Sequence, residues 1–348
     1  MNQRLVLRPS RLSDLPAVER IAAASAIGIG SLPADREQLH NKIRLSTQAL
    51  DMDTDHSGEE NYFFVLEQVD TGQIVGTSGI AASAGFGDRF YSYRNEFIVH
   101  AAAELGVANK IHSLHLCHDL TGTSLLTSFY IDPDWAGSAW PQLLSRGRLL
   151  FMADQSRRFA GRLVAESVGV CDEAGRSPFW EAVGQRFFNI DYAQAERRAG
   201  GRSKRFIAEL MPQYPIYVPL LPPEAQLAIG QLHPAAELPF QILMDEGFEA
   251  DTYVDVFDAG PTVDAQFGSL LSVRHSRKVK ASRVSEVLPG GAPHLVANTT
   301  AANFRATIVD LPVAAERGSA PLTATQLELL EVGHGDELRV VALNHASR

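Results

Sequence analysis

The chain has 348 residues, of which 45% are hydrophobic and 21% charged, and it carries a formal net charge of −10. That length exceeds one average domain and falls short of three, with the composition of a soluble protein that has a real core. The acidic balance argues against a general binder of nucleic acid or anionic membrane, and no apolar run approaches the roughly 18–20 residues that cross a bilayer.

The opening stretch MNQRLVLRPSRLSDLP turns polar too soon to hold the apolar segment of a signal peptide. Cys117 and Cys171 are far apart, in strand-like contexts, and read as reduced core thiols. A cytoplasmic protein of one or two domains is expected.

RLVLRP (4–9) alternates apolar and polar residues and predicts a strand ending at Pro9. SDLPAVERIAAAS then predicts a helix, with Ser13 or Asp14 as N-cap and Pro16 in the first turn, where a missing N–H does no harm. The polar, acidic stretch from Ser46 to Glu60 predicts a loop or insertion. NYFFVLEQVDTGQIVGTSGIAAS places two apolar runs around Asp70, Thr71 and Gly72, a hairpin signal. In FYSYRNE (90–96), Arg94 stands among tyrosines, either to clamp a carboxylate or as a surface ion pair.

HSLHLCHDLTG (112–122) spaces His112, His115 and His118 by three. On a helix they would share one face and suggest a metal site. The neighbours Ile111, Leu114, Leu116 and Leu120 favour an extended segment, which sends His115 to the other face, and Asp119 to Gly122 then form a turn. No metal is expected.

SLLTSFYIDP (124–133) predicts a buried strand, followed by a short loop and a helix beginning near Gln142. Leu143, Leu144, Leu150 and Phe151 fall on one face of that helix, with Gly147 near its middle permitting close approach. A pyrophosphate at a helix start accepts hydrogen bonds from backbone N–H groups. Gly137, Ser138 and Ala139 can supply such donors, but with a single glycine the loop reads sooner as a plain strand-to-helix turn than as a phosphate loop. RLVAESVGV (162–170) predicts another buried strand and SPFWEAVGQRFF (177–188) a helix. FWEAVGQRFFNIDY and FQILMDEGFEADTY echo one another, each running from a helix through an aromatic exit into a strand. In IGQLHP (229–234), Pro234 biases His233 towards extended backbone, and an imidazole exchanges protons near neutral pH.

From about Gly260 the character changes to short strands between Gly/Pro/Ala-rich turns, with one helix, LTATQLELLEV, that carries Thr323 and Gln326 at capping-box spacing. Residues 1–262 are expected to form one domain, with decorated or duplicated elements in 190–262, and 263–348 a β-rich subdomain. The expected class is α+β, a mixed sheet flanked by helices.

Several blocks carry a resemblance: LVLRPSRLSDLP, YSYRNE, HDLTG, FYIDPDW, DEAGRSPFWEAVG, FIAELMPQYPIYVPLLP, IGQLHP and VDVFDAGPT. They span essentially the whole chain, which resembles the arginine N-succinyltransferase family of the GCN5-related N-acyltransferase superfamily. It is most similar to the α-type chain of the enzymes built from two related subunits. The resemblance implies transfer of succinyl from succinyl-CoA, a co-substrate rather than a resident cofactor, to the α-amino group of L-arginine, with ornithine as a second substrate. It also implies a homologous β-type partner subunit. In that fold CoA lies between two splayed strands, here 124–132 and 162–170. The family's acyl-CoA-contacting position falls on Phe129 and its proton-transfer histidine on His233. Gly137, Ser138 and Ala139 would face the pyrophosphate. Arg94, Asp119 and Glu209 lie in matched blocks and are candidates for binding substrate.

The chain also departs from the superfamily loop. Ala136 stands where Arg is common, and Ala139 and Pro141 take glycine places. A weakened CoA grip leaves two expectations: an active succinyltransferase subunit, or a low-activity subunit that supports a homologous catalytic chain.

Overall fold

The computed structural model describes residues 4–25, 30–199, 205–211, 213–286, 290–312, 315 and 318–344. Its strands, in chain order, are β1 (Leu5–Pro9), β2 (Asn61–Gln68), β3 (Gln73–Ala81), β4 (Ser92–Ala102), β5 (Val107–Cys117), β6 (Ser124–Ile131), β7 (Arg162–Glu166) and β8 (Ile216–Tyr217). They continue as β9 (Glu249–Val254), β10 (Pro261–Gln266), β11 (Arg277–Arg283), β12 (Ala292–Asn298), β13 (Ala306–Leu311), β14 (Ser319–Leu322) and β15 (Glu337–Ala342). All join one mixed sheet in the order β14-β11-β15-β12-β13-β1-β2-β3-β6-β7-β10-β9-β4-β5-β8. With helices on its faces, the chain is α+β. Among the described residues no helix is long and apolar enough to cross a membrane.

Strand periodicity explains the central layer. On β2, Phe63 and Val65 point to one face and pack with Val18, Ile21, Leu39 and Ile43. Tyr62, Phe64 and Leu66 point to the other and pack with Leu143, Leu150 and Phe151. The turn from β2 to β3 closes at Gly72, whose φ of 71° suits glycine.

Two helices lie between β1 and β2: α1 (Leu15–Ala24) and α2 (Arg36–Asp51). Asp14 occupies the N-cap of α1 without a side-chain cap bond. Its carboxylate instead receives the buried Arg8 guanidinium at 2.8 and 3.0 Å, and the Arg11 N–H at 2.7 Å. The expectation of a loop from Ser46 is corrected. Ser46 to Asp51 belong to α2, because Ser46, Ala49 and Leu50 continue the buried stripe of Leu39 and Ile43.

After β6 comes a single helical turn, α3 (Pro133–Ala136), and then α4 (Trp140–Asp154), which starts before the expected Gln142. Nearly every residue of α4 from Pro141 to Met152 is buried, so this helix lies inside the molecule rather than on it. Gly147 permits that position: a Cβ there would sit 2.4 Å from the Leu7 side chain.

Three further expectations change. The strand read over 162–170 ends at Glu166, and Gly169 makes only an isolated bridge with Leu232. The helix read over 177–188 splits at Val183 into Pro178–Ala182 and Gly184–Phe188. The echo fails in its first copy, where the chain beyond Phe188 enters the helix Tyr192–Ala199 instead of a strand. The second copy runs from the helix Glu237–Glu246 into β9.

Residue 263 lies inside β10, which pairs with β7 and β9. Strands β11–β15 wrap a core of their own with the helix Ala324–Leu330, whose start carries the Thr323/Gln326 capping box. They join the rest of the sheet through β13 and β1.

Candidate functional site

β6 and β7 run parallel and pair only at their beginnings: Ser124 with Leu163, Leu125 with Val164, and Leu126 with Ala165. Beyond Leu126 the strands part. The parting coincides with a bulge on the other side of β6. Thr77 pairs with Tyr130 and Gly79 with Thr127, so Ser128 and Phe129 together oppose one residue of β3. Ser128 takes a left-handed φ of 55°, unusual for a residue with a side chain. It is fastened there by Ser31, whose hydroxyl accepts the Ser128 N–H at 2.9 Å and whose carbonyl accepts its hydroxyl at 3.0 Å.

A cavity of about 140 Å³ opens where the strands part. Leu126, Thr127, Ser128 and Phe129 line one side, with Arg148 of α4 beneath them. Glu166, Ser167 and Val168 line the other, together with Glu196, Asp255 and Asp258. One wall therefore carries a cation and the other carries carboxyl groups.

The acidic wall is built by close backbone packing. Added Cβ atoms at Gly169 and Gly260 would fall 2.7 Å from the Gly260 nitrogen and 2.2 Å from the Ser167 carbonyl, respectively. These two glycines let the turn Asp255–Gly260 press against the exit of β7. Asp258 is fully buried there and accepts hydrogen bonds from Gly169 N–H, Gly260 N–H and Tyr192 Oη, each at 2.8 Å. Burial, with the like charge of Asp255, pushes the Asp258 carboxyl up to about 6, against the pull of those three donors.

His233 joins this wall through its backbone. Its N–H donates to Val168 O at 2.9 Å, and its neighbours Ala235 and Ala236 line the cavity. The extended conformation expected from Pro234 is present, at φ −67° and ψ 142°. Nδ1 accepts the Ala235 N–H at 3.2 Å, so the neutral imidazole carries its proton on Nε2.

Of the other sequence-selected residues, Phe129 lies on the cavity wall, directly after the bulge. Gly137, Ser138 and Ala139 lead into α4. The N–H groups of Gly137 and Ser138 both turn inward onto Trp135 O, and the Trp140 N–H meets Ser138 Oγ at 3.3 Å. That leaves Ala139 N–H without a protein acceptor among the described residues. Gly137 itself has φ −79° and open space at its Cβ position, so the backbone does not demand glycine there.

Arg94 and Asp119 are not on the cavity wall. They pair with each other at 3.1 Å at the foot of the β4–β5 hairpin, where Arg94 also pairs with Glu96 and Asp119 accepts from Tyr253 Oη at 3.3 Å. Glu209 is exposed on the helix Arg205–Leu210. His112, His115 and His118 do not cluster: His112 bonds Asn95 and stacks on Phe97, while His115 lies 3.5 Å from Glu96.

Sequence reasoning missed Arg148, Glu166, Glu196, Asp255 and Asp258. A signal existed for two of these segments. RGRLL sets charges in an otherwise apolar helix, and VDVFDAGPT sets two carboxylates in an apolar run closed by glycine.

Comparison with known proteins agrees along the whole length. The family model described as arginine N-succinyltransferase beta subunit matches residues 5–272, and the model of that subunit's C-terminal domain matches 275–342. The arginine N-succinyltransferase subunit alpha of Pseudomonas aeruginosa is 50% identical over 97% of this chain and 100% of its own. The arginine N-succinyltransferase of Enterobacter sp. (strain 638) is 41% identical over 97% of this chain and 98% of its own. A solved structure of arginine/ornithine succinyltransferase subunit AI from Pseudomonas aeruginosa superposes with a TM-score of 0.90 at 47% identity, covering 99% of this chain and 100% of that one. With a family match and relatives that span it almost from end to end, the chain belongs to the arginine N-succinyltransferase family.

Proposed function

We propose that this chain transfers succinyl from succinyl-CoA to the α-amino group of L-arginine, and also of ornithine, in the cavity between β6 and β7. The observation that carries the reading is the parting of that parallel pair around a cavity with a cation on one wall and carboxyl groups on the other. An acidic wall suits an acceptor that brings a guanidinium or a second ammonium. The relatives' names supply arginine and ornithine as acceptors.

The chemistry is direct displacement. The amine nitrogen, once neutral, forms a C–N bond at the thioester carbon, and the carbonyl π electrons move to oxygen. The Phe129 N–H, at the bulge, is the proposed donor to that oxyanion. The oxygen electrons then return, the C–S bond breaks, and the sulfur leaves with its electron pair. The proton shed by nitrogen ends on sulfur, and His233 is the group proposed to carry it. Gly137, Ser138 and Ala139 at the start of α4 are the proposed pyrophosphate contacts, supported by the Ala139 N–H and the positive end of the helix. We also infer a cytoplasmic setting and assembly with a homologous subunit, the latter supported by the relatives' designation as subunits.

The test is thiol release from succinyl-CoA by the purified chain. Release should require arginine, and His233→Ala should lower kcat by about 10²–10⁴. Turnover that appears only with a homologous partner, and survives His233→Ala in this chain, would make it a supporting subunit.

A further inference from the structure

Among the described residues the cation of the cavity has no counter-ion. Arg148 is 2% exposed. Its Nε–H donates to Ser145 O at 3.1 Å and its Nη2 to Ser145 Oγ at 3.1 Å, while Nη1 donates to Gly79 O and Thr127 O at 3.2 and 3.4 Å. Every one of these acceptors is a neutral oxygen. A guanidinium has five N–H bonds, so one on Nη2 has no acceptor among the described residues.

Other buried arginines of this chain are compensated. Arg8 is paired with Asp14 and Glu67. Arg146, two positions before Arg148 on α4, is paired with Glu246 at 2.8 Å. Arg158 lies on the carbonyls of Ala49 and Met52, at the negative end of α2. Among the described residues Arg148 has neither a carboxylate nor a helix terminus, and burial pushes its pKa down to about 9. It stays charged at neutral pH. A buried ion held only by neutral dipoles is a costly arrangement unless something else supplies the opposite charge.

The place of Arg148 points to what supplies it. Its guanidinium bonds the carbonyls of Gly79 and Thr127 beside the bulge, and the residue lines the cavity with Thr127 and Phe129. Resting on the succinyl-transfer reading, the thioester lies at Phe129, and the donor's acyl chain ends in a carboxylate two methylenes further on. The Arg148 side of the cavity attracts that carboxylate, while the wall that holds the buried Asp258 carboxyl does not. We propose that Arg148 recognises the terminal carboxylate of the acyl donor and so sets the preference for a dicarboxylic over a monocarboxylic acyl thioester. It is a specificity residue: an uncharged acyl chain of the same length would leave the buried guanidinium without a partner.

The experiment compares succinyl-CoA with butyryl-CoA, which has a similar length and no charge. In the wild type kcat/KM should favour succinyl-CoA. In Arg148→Met the ratio between the two donors should fall by about 100-fold, with butyryl-CoA turnover kept or raised. Arg148→Lys, which keeps the charge, should retain an intermediate ratio. If both donors lose activity together and the ratio stays, Arg148 only props the bulge and the proposal is overturned. If the wild type moves no acyl group at all, the succinyl-transfer reading fails by itself, and the ratio of the two CoA esters' Kd values decides the question for Arg148. If neither variant folds, a structure of the wild type with a non-hydrolysable succinyl-CoA thioether decides it. A carboxylate within about 3 Å of the guanidinium supports the proposal, and one placed elsewhere overturns it.

Discussion

Arg146 and Arg148 leave α4 two positions apart, some 200° around the helix, and enter opposite surroundings. Arg146 turns towards Glu246, Ser272 and the carbonyls of Ala342 and Leu343, tying α4 to the C-terminal part of the chain. Arg148 turns towards the cavity and finds only neutral oxygens. Across that cavity Asp258 mirrors it, a buried carboxyl held by two amides and a phenol. Charges that belong to the framework are matched inside the protein. Arg148 and Asp258, which face the cavity, are held among the described residues by dipoles, with no opposite charge on either in the hydrogen bonds they make.

Four measurements test that contrast. The largest effect is expected on the matched side. Glu246→Ala leaves Arg146 buried without its carboxylate and should cost about 3–5 kcal/mol in urea unfolding. Next is Asp258. Its folded pKa, about 6, lies above the ordinary carboxyl value of 3.8, so the native state holds more protons between those values. The stability this group contributes is complete below the lower value and is lost as pH rises through the upper one. The shift corresponds to roughly 2–3 kcal/mol. Unfolding measured at about pH 5 and pH 8 should therefore show Asp258→Asn gaining on the wild type as pH rises. A difference independent of pH would refute the assignment.

Arg148→Met comes third. Losing a cation that has no counter-ion offsets the carbonyls left without a donor, and stability should change by less than about 2 kcal/mol. A loss as large as that of Glu246→Ala would erase the distinction between the two sides of α4. The smallest effect belongs to the start of that helix. Gly137→Ala fits the observed backbone and open space, so the melting temperature should not move. The KM for succinyl-CoA should nevertheless rise by about three- to tenfold if the loop approaches a phosphate there. An unchanged KM would remove Gly137 from the binding site.

The sequence disclosed what short-range patterns determine. The hairpin around Gly72, the strand that becomes β6, the capping box at Thr323 and the extended backbone at His233 follow from neighbours a few residues apart. The C-terminal half of α2 did not, because its buried stripe includes Ser46 and Ala49 among polar residues. The cavity's acidic wall was hidden for a different reason. Glu166, Glu196 and Asp258 come from three separated segments, and the pairing of β7 with β10 and the packing of Gly169 against Gly260 bring the first and last of these segments together. The sequence left Arg94 open between a carboxylate clamp and a surface ion pair, and in the fold it pairs with Asp119 and Glu96.

The position of β1 has a consequence for how the chain assembles. This strand lies in the interior of the sheet, between β2 and β13, and Leu5 O accepts the hydroxyl of Thr307 across 302 positions of sequence. During synthesis β1 and β2 can pair early, while the other edge of β1 waits for strands made some three hundred residues later. Until they arrive, that edge is an open template for any extended segment nearby. Slow, chaperone-sensitive maturation is the expected cost of closing a sheet with its last-made strands upon its first.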